Sequence, residues 1–165
     1  MDDPIPAFID VEASGLGGAS YPIEVGLITS HGEMYCALLR PQPGWRHWDA
    51  QAEAVHHISR PILEQHGKPL ADVALQVNKL LAGQTVYSDA WGNDFAWLAK
   101  LFDAVDLPMR FRLESSRKLL DDAQAARWAE VKELVMGELK LQRHRASSDA
   151  RVLQLTLARI LGSST

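Results

Sequence analysis

The sequence holds a single cysteine, Cys36, so no disulfide can form within the chain and a reducing compartment is the expected setting. No apolar run approaches the ~20 residues that a bilayer-spanning helix needs, which leaves no membrane call. The opening residues, MDDPIPAF, lack the basic and apolar regions of a secretory signal, and cytoplasmic localisation is expected. Positive charge is not in excess: 17 Lys and Arg stand against 21 Asp and Glu, for a net charge of -4. That excludes a protein held on nucleic acid by bulk charge alone. There are no repeats, low-complexity tracts or linker-like segments, so residues 1–165 are read as one domain.

What is present is an ordinary globular composition, 47% hydrophobic and 23% charged, with a clear order of elements. Ile5–Val11 is a short apolar run, and Tyr21–Ser30 is a second, rich in β-branched residues. HGE at 31–33 supplies a turn, and Met34–Leu39 completes an N-terminal meander of three strands. Pro41, Pro43 and Gly44 open a loop that carries Trp45 and Trp48; a short helix is expected over Pro61–His66. Pro69 opens an amphipathic helix with Val73, Val77, Leu80 and Leu81 on one face and Gly83 as its stop. A fourth strand is expected over Gln84–Tyr87, a helix over Asn93–Val105 with Phe95, Leu98, Leu101 and Phe102 as its stripe, and a fifth strand over Arg110–Leu113. A helical region over Ser116–Leu139, irregular near Gly137, and a last helix over Ser147–Ile160 complete the chain. A meander followed by alternating helix and strand predicts an α/β fold with a mixed sheet flanked by helices.

Two carboxylates interrupt the first strand. Asp10 and Glu12 are two apart in FIDVEASGLGG, so they share one face of the strand. Like charges so placed resist ionisation unless a cation sits between them. They fall at the C-terminal end of the first strand, where open α/β sheets place ligands. The small residues that follow, Ala13, Ser14, Gly15, Gly17 and Gly18, allow close backbone approach. A D-x-E taken singly is also met as two solvated acids at a strand end. In YSDAWGNDFAWL, Asp89 and Asp94 lie in a connection and a first helical turn, a position that the helix dipole also favours for an acid. In HRASSDAR, His144 and Asp149 are five apart, about 140° around a helix, so a shared site requires His144 on the loop before the helix. Ser147 or Ser148 then serves as N-cap. Taken singly, His144 also reads as an exposed member of a basic run.

Together, a D-x-E ending the first strand, an Asp opening a middle helix and an H-x(4)-D opening the last one resemble the DEDDh 3'→5' exonucleases. This superfamily includes ribonuclease T, oligoribonuclease and polymerase proofreading subunits. The resemblance runs from Asp10 to Asp149. It implies a ribonuclease H-like mixed five-stranded sheet, an antiparallel meander plus parallel strands, flanked by helices. It also implies Asp10, Glu12, Asp94 and Asp149 as metal ligands and His144 as general base. Asp94 is preferred to Asp89 because an apolar residue, Leu98, follows it by four. Many relatives have His-Asn where this chain has Asp89-Ala90, and Asp89 is left as a supporting acid or a helix cap. Ser14 and Leu16 fall where relatives contact the 3'-terminal nucleotide, and HHIS at 56–59 resembles an H-G-I segment bordering the same pocket, which makes His56 a candidate contact.

Carboxylate-only sites suit hard cations, and the resemblance implies two Mg²⁺ or Mn²⁺ ions clamping the scissile phosphate. The implied substrate is the 3' end of single-stranded RNA or DNA, with RNA favoured, and the product a nucleoside 5'-monophosphate. Homodimerisation is carried over from the same relatives. Arg110, Arg112, Arg117, Lys118, Arg143, Arg145 and Arg151 could hold phosphates, and Trp45, Trp48, Trp91 and Trp97 could stack bases. The alternative is a catalytically silent nucleic-acid- or protein-binding module on the same fold.

Overall fold

The computed structural model describes residues 4–139 and 146–162. Five strands form one sheet: β1 (Phe8–Ala13), β2 (Pro22–Ile28), β3 (Met34–Leu38), β4 (Thr85–Ser88) and β5 (Arg112–Ser115), in the order β3-β2-β1-β4-β5. The first three pair antiparallel, and β4 and β5 run parallel to β1. Six helices flank the sheet: α1 (Ala50–His56), α2 (Arg60–His66), α3 (Leu70–Leu81), α4 (Trp91–Ala104), α5 (Asp122–Leu139) and α6 (Ala146–Gly162). The expected mixed five-stranded architecture is the one observed.

The two faces of the sheet are sorted by strand parity. Ile9, Val11, Val25 and Leu27 pack with Val73, Val77, Leu98 and Leu101 of α3 and α4. Phe8 and Ile28 point the other way, into Val131 and Val135 of α5 and Leu153 and Leu157 of α6. Helices on both faces explain why every residue of β2 is buried. The same parity puts Asp10 and Glu12 on the α5/α6 face, beyond Phe8.

The element boundaries differ from expectation in instructive places. The first strand is displaced to Phe8–Ala13, because Ala7 and Phe8 already fill the core and the acids continue the ladder. Helix α1 is not read from sequence: AQAEAVH has no apolar stripe, and the helix starts because the Asp49 side chain accepts the Gln51 N–H at 2.9 Å. Residues 116–119 form a single 3-10 turn, after which α5 runs through Gly137 without a break. In α4, Leu98, Leu101 and Phe102 are buried as expected, but Phe95 is exposed and stacks on Trp91, ring centroids 5.3 Å apart. Among the described residues, no helix is long and apolar enough to cross a membrane.

Candidate active site

Asp10, Glu12 and Asp149 converge. One carboxylate oxygen from each lies within 4.8 Å of the others. Asp10 and Glu12 come from β1, and Asp149 from the first turn of α6, which packs across β1 and β2. Asp94 is not in this trio. It is buried behind it, accepting the Ser88 hydroxyl at 2.5 Å and a hydrogen bond from the Val11 backbone. Asp94 is still close enough to be the leading charge that raises Asp10.

The electrostatics follow from that crowding. Burial, then the charges of Asp94, Glu12 and Asp149, hold the Asp10 carboxyl well above the usual carboxylate range. Burial, then Asp149 and Glu24, push Glu12 up to about 8, and burial raises Asp94 to about 7. Carboxyls so raised are short of positive charge, and an all-oxygen donor set of this kind fits a hard divalent cation. Lys132 of α5 brings a cation to the cluster: its charge lowers Asp10, and its Nζ lies 2.7 Å from Asp89 Oδ2. Asp89 therefore forms an ion pair; α4 starts at Trp91 with no side-chain cap.

A cleft of about 360 Å³ reaches the trio at Glu12, with Ala13, Leu16, Val55, His56 and Trp97 among its walls. Leu16 is 70% exposed at its edge rather than packed under a loop. The loop that carries it is pinned to α4: Trp97 Nε1 donates to Ser20 Oγ at 2.9 Å, and Lys100 Nζ to the carbonyls of Gly18 at 3.0 Å and Ser20 at 2.5 Å. Ser14 is fully buried, its hydroxyl 2.9 Å from His47 Nδ1 and accepting the Tyr21 N–H at 3.1 Å. Gly15 lies hard against its own chain, since a Cβ there would stand 2.6 Å from His47 Cε1 and 2.8 Å from Asp49 Cβ. Open space surrounds Gly17 and Gly18 instead.

His56 ends α1 and is buried. Its Nδ1 accepts the Ile58 N–H at 3.0 Å, so the neutral ring carries its proton on Nε2, a buried atom turned toward the Ala13 backbone. Burial lowers its pKa, which favours that neutral form. His57 follows with φ +59°, the left-handed helix-ending conformation that glycine adopts most easily. That geometry accounts for a glycine at the matching place in H-G-I segments.

His144 lies outside the described residues, as do Arg143 and Arg145. Helix α6 starts at Ala146, so Ser147 and Ser148 stand inside it and neither precedes it as N-cap. Glu24 of β2 supplies the acceptor, taking the Ala146 N–H at 2.7 Å on Oε1. The sequence by itself does not single out Glu24, Lys132, Lys100 or His47. A buried acid in an apolar strand, as in PIEVGLI, was the one available signal. Of the tryptophans, Trp45 is core, stacked on Tyr21 at 5.3 Å, whereas Trp91 is exposed and Trp97 borders the cleft. Arg112 and Lys118 both pair with Glu114, and Arg117 with Asp122.

No protein-family model and no curated protein matches the sequence. Solved structures do match in fold. Escherichia coli exonuclease I in complex with a dA16 oligonucleotide superposes with a TM-score of 0.71 at 14% identity, over 95% of this chain and 42% of that one. The zinc-bound form of the E. coli enzyme with single-stranded DNA gives a TM-score of 0.69 at 15% identity, over 95% and 42%. Exonuclease I from Methylocaldum szegediense gives 0.69 at 13% identity, over 93% and 40%. This chain thus spans 40 to 42% of the length of these structures. Element order, sheet topology and these superpositions agree: the chain has the ribonuclease H-like fold that the exonuclease I structures share.

Proposed function

We propose that this chain is a divalent-metal-dependent 3'→5' exonuclease acting on single-stranded nucleic acid, with RNA favoured. The observation that carries the reading is the cleft edged by Leu16 that reaches Glu12, which shares with Asp10 and Asp149 a cluster whose oxygens lie within 4.8 Å of one another. A terminal nucleotide in that cleft has Leu16 and Val55 for its base, with His56 in the wall beside it. Its 5' phosphate then lies at the acids. Asp10, Glu12, Asp149 and Asp94 would hold two Mg²⁺ or Mn²⁺ ions, which would supply positive charge for the phosphate and a more acidic water. His144 accepts the proton of that water, a role that rests on the resemblance alone. The P–O3' bond breaks, and the terminal residue leaves as a nucleoside 5'-monophosphate. Placement in the cytoplasm belongs to the same reading.

RNA is favoured by the likeness of the second motif to that of ribonuclease T and oligoribonuclease. A deoxyribonuclease is the second reading, favoured by the single-stranded DNA held by the exonuclease I structures. Short 5'-labelled RNA and DNA oligomers, incubated with Mg²⁺ or Mn²⁺ and with a chelator control, test both. The expected result is a ladder shortened from the 3' end, faster for RNA, with nucleoside 5'-monophosphates released. Chelator-sensitive cleavage faster for DNA selects the second reading. Failure to cut either leaves the silent binding module.

A further inference from the structure

The acids border a second cavity. It has a volume of about 200 Å³, several times the ~30 Å³ share of one water, and is lined by Asp10, Asp149, Asp89, Lys132, Met136 and Leu153. The cleft described above meets the trio at Glu12; this cavity meets it at Asp10 and Asp149. A strand whose terminal nucleotide fills the first cleft, and whose scissile phosphate rests on the acids, must leave by another opening. This cavity is an opening onto the same acids, and it carries a cation. Lys132 Nζ lies 2.7 Å from Asp89 Oδ2, with both side chains about one-third exposed, at 34% and 30%. An ion pair so open to water is weakly held. Its ammonium can therefore turn to, or be shared with, a phosphate at little cost. Met136 and Leu153 add an apolar wall for a sugar edge.

We propose that Lys132, paired with Asp89 until a strand arrives, binds the phosphodiester on the 5' side of the scissile one, in the strand the enzyme retains. The ligand is a nucleotide phosphate of a chain at least two linkages long. This rests on the exonuclease reading and adds a subsite to it.

The test compares two substrates that differ only in the retained strand: a short oligonucleotide, and thymidine 5'-(4-nitrophenyl phosphate), which offers a scissile ester with nothing upstream. Lys132→Ala should raise KM for the oligonucleotide about fivefold or more relative to its effect on the nitrophenyl ester. The slope of log KM against log salt should fall by about 0.7, the share of one phosphate contact on a single strand. Lys132→Arg should restore most of both. Equal losses on the two substrates, or none on either, overturn the subsite while leaving the exonuclease intact. Wild-type protein that hydrolyses neither substrate overturns the exonuclease reading, and the subsite with it.

Discussion

Glu24 Oε1 accepts the backbone N–H of Ala146 at 2.7 Å, and this bond joins the second strand to the first residue of the last helix. In the register of the sheet Glu24 stands directly opposite Glu12, so both side chains lie on the face that α6 covers. One turn into α6 is Asp149. A buried carboxylate at a helix N-terminus satisfies an orphan N–H and complements the helix dipole. It also sets how far α6 slides along β1, and hence where Asp149 meets Glu12. Glu24→Ala leaves a buried donor without its acceptor and should cost roughly 1–3 kcal/mol in urea unfolding. Glu24→Gln keeps an acceptor and should lose less stability and less metal-dependent turnover than Glu24→Ala.

The crowding of acids predicts a conflict between stability and function. Asp10→Asn or Asp149→Asn removes a charge from a buried cluster, so the metal-free protein should gain roughly 0.5–2 kcal/mol, seen as a higher Tm. Chelator-sensitive hydrolysis should disappear in the same variants. A variant that keeps near wild-type activity removes that residue from the metal site.

The raised acids give the metal-free protein a specific pH dependence. Glu12 moves from 4.5 to about 8 and Asp94 from 3.8 to about 7. Between those limits the folded chain holds protons that the unfolded chain has released, so rising pH favours unfolding. The stability contributed is fully present below the ordinary carboxylate values and is lost as pH climbs through 7 and then 8. Thermal unfolding in chelator should show Tm falling between about pH 5 and about pH 8.5, and Mg²⁺ or Mn²⁺ should raise Tm more at the alkaline end.

Lys100 should act through the loop that carries Leu16. Lys100→Ala removes the donor shared by the Gly18 and Ser20 carbonyls, so the loop loses part of its tie to α4 and is left with the Trp97–Ser20 bond. The expected outcome is a rise of about threefold to tenfold in KM for an oligonucleotide with a smaller fall in kcat, since the acids are untouched. A fall in kcat with KM unchanged counts against this role.

His144→Ala should lower kcat by about a hundredfold or more while metal affinity, followed by calorimetry, changes little. Equal losses in both make His144 a ligand instead of a base.

Much of the architecture was legible because it follows from local pattern. The β-branched run over Tyr21–Ser30, the turn at 31–33 and the stripe of Val73, Val77 and Leu81 in α3 each specify their element and its buried face. Helix α1 was illegible because its signal is a cap, Asp49, and not an apolar period. Phe95 was misplaced because a stripe read from spacing does not say where the neighbouring elements stop. It falls just outside the packed face of α4, against Trp91. Ser14 and Gly15 read as surfaces for a ligand, but His47 and Asp49, more than thirty positions on, take both.

From the sequence by itself came the alternation that puts Asp10 and Glu12 on one side of a strand, and the order of acids along the chain; both depend on backbone period and spacing alone. Only the tertiary structure decided which acids meet. Asp149 joins Asp10 and Glu12 because α6 lies across β1 and is tied at its start to Glu24. Asp94 stands behind them because Ser88 and the Val11 backbone hold it there. The raised carboxyls and the Lys132–Asp89 pair have the same origin. Charge repulsion and desolvation depend on distances through space, and those distances exist only once the helices have closed on the sheet.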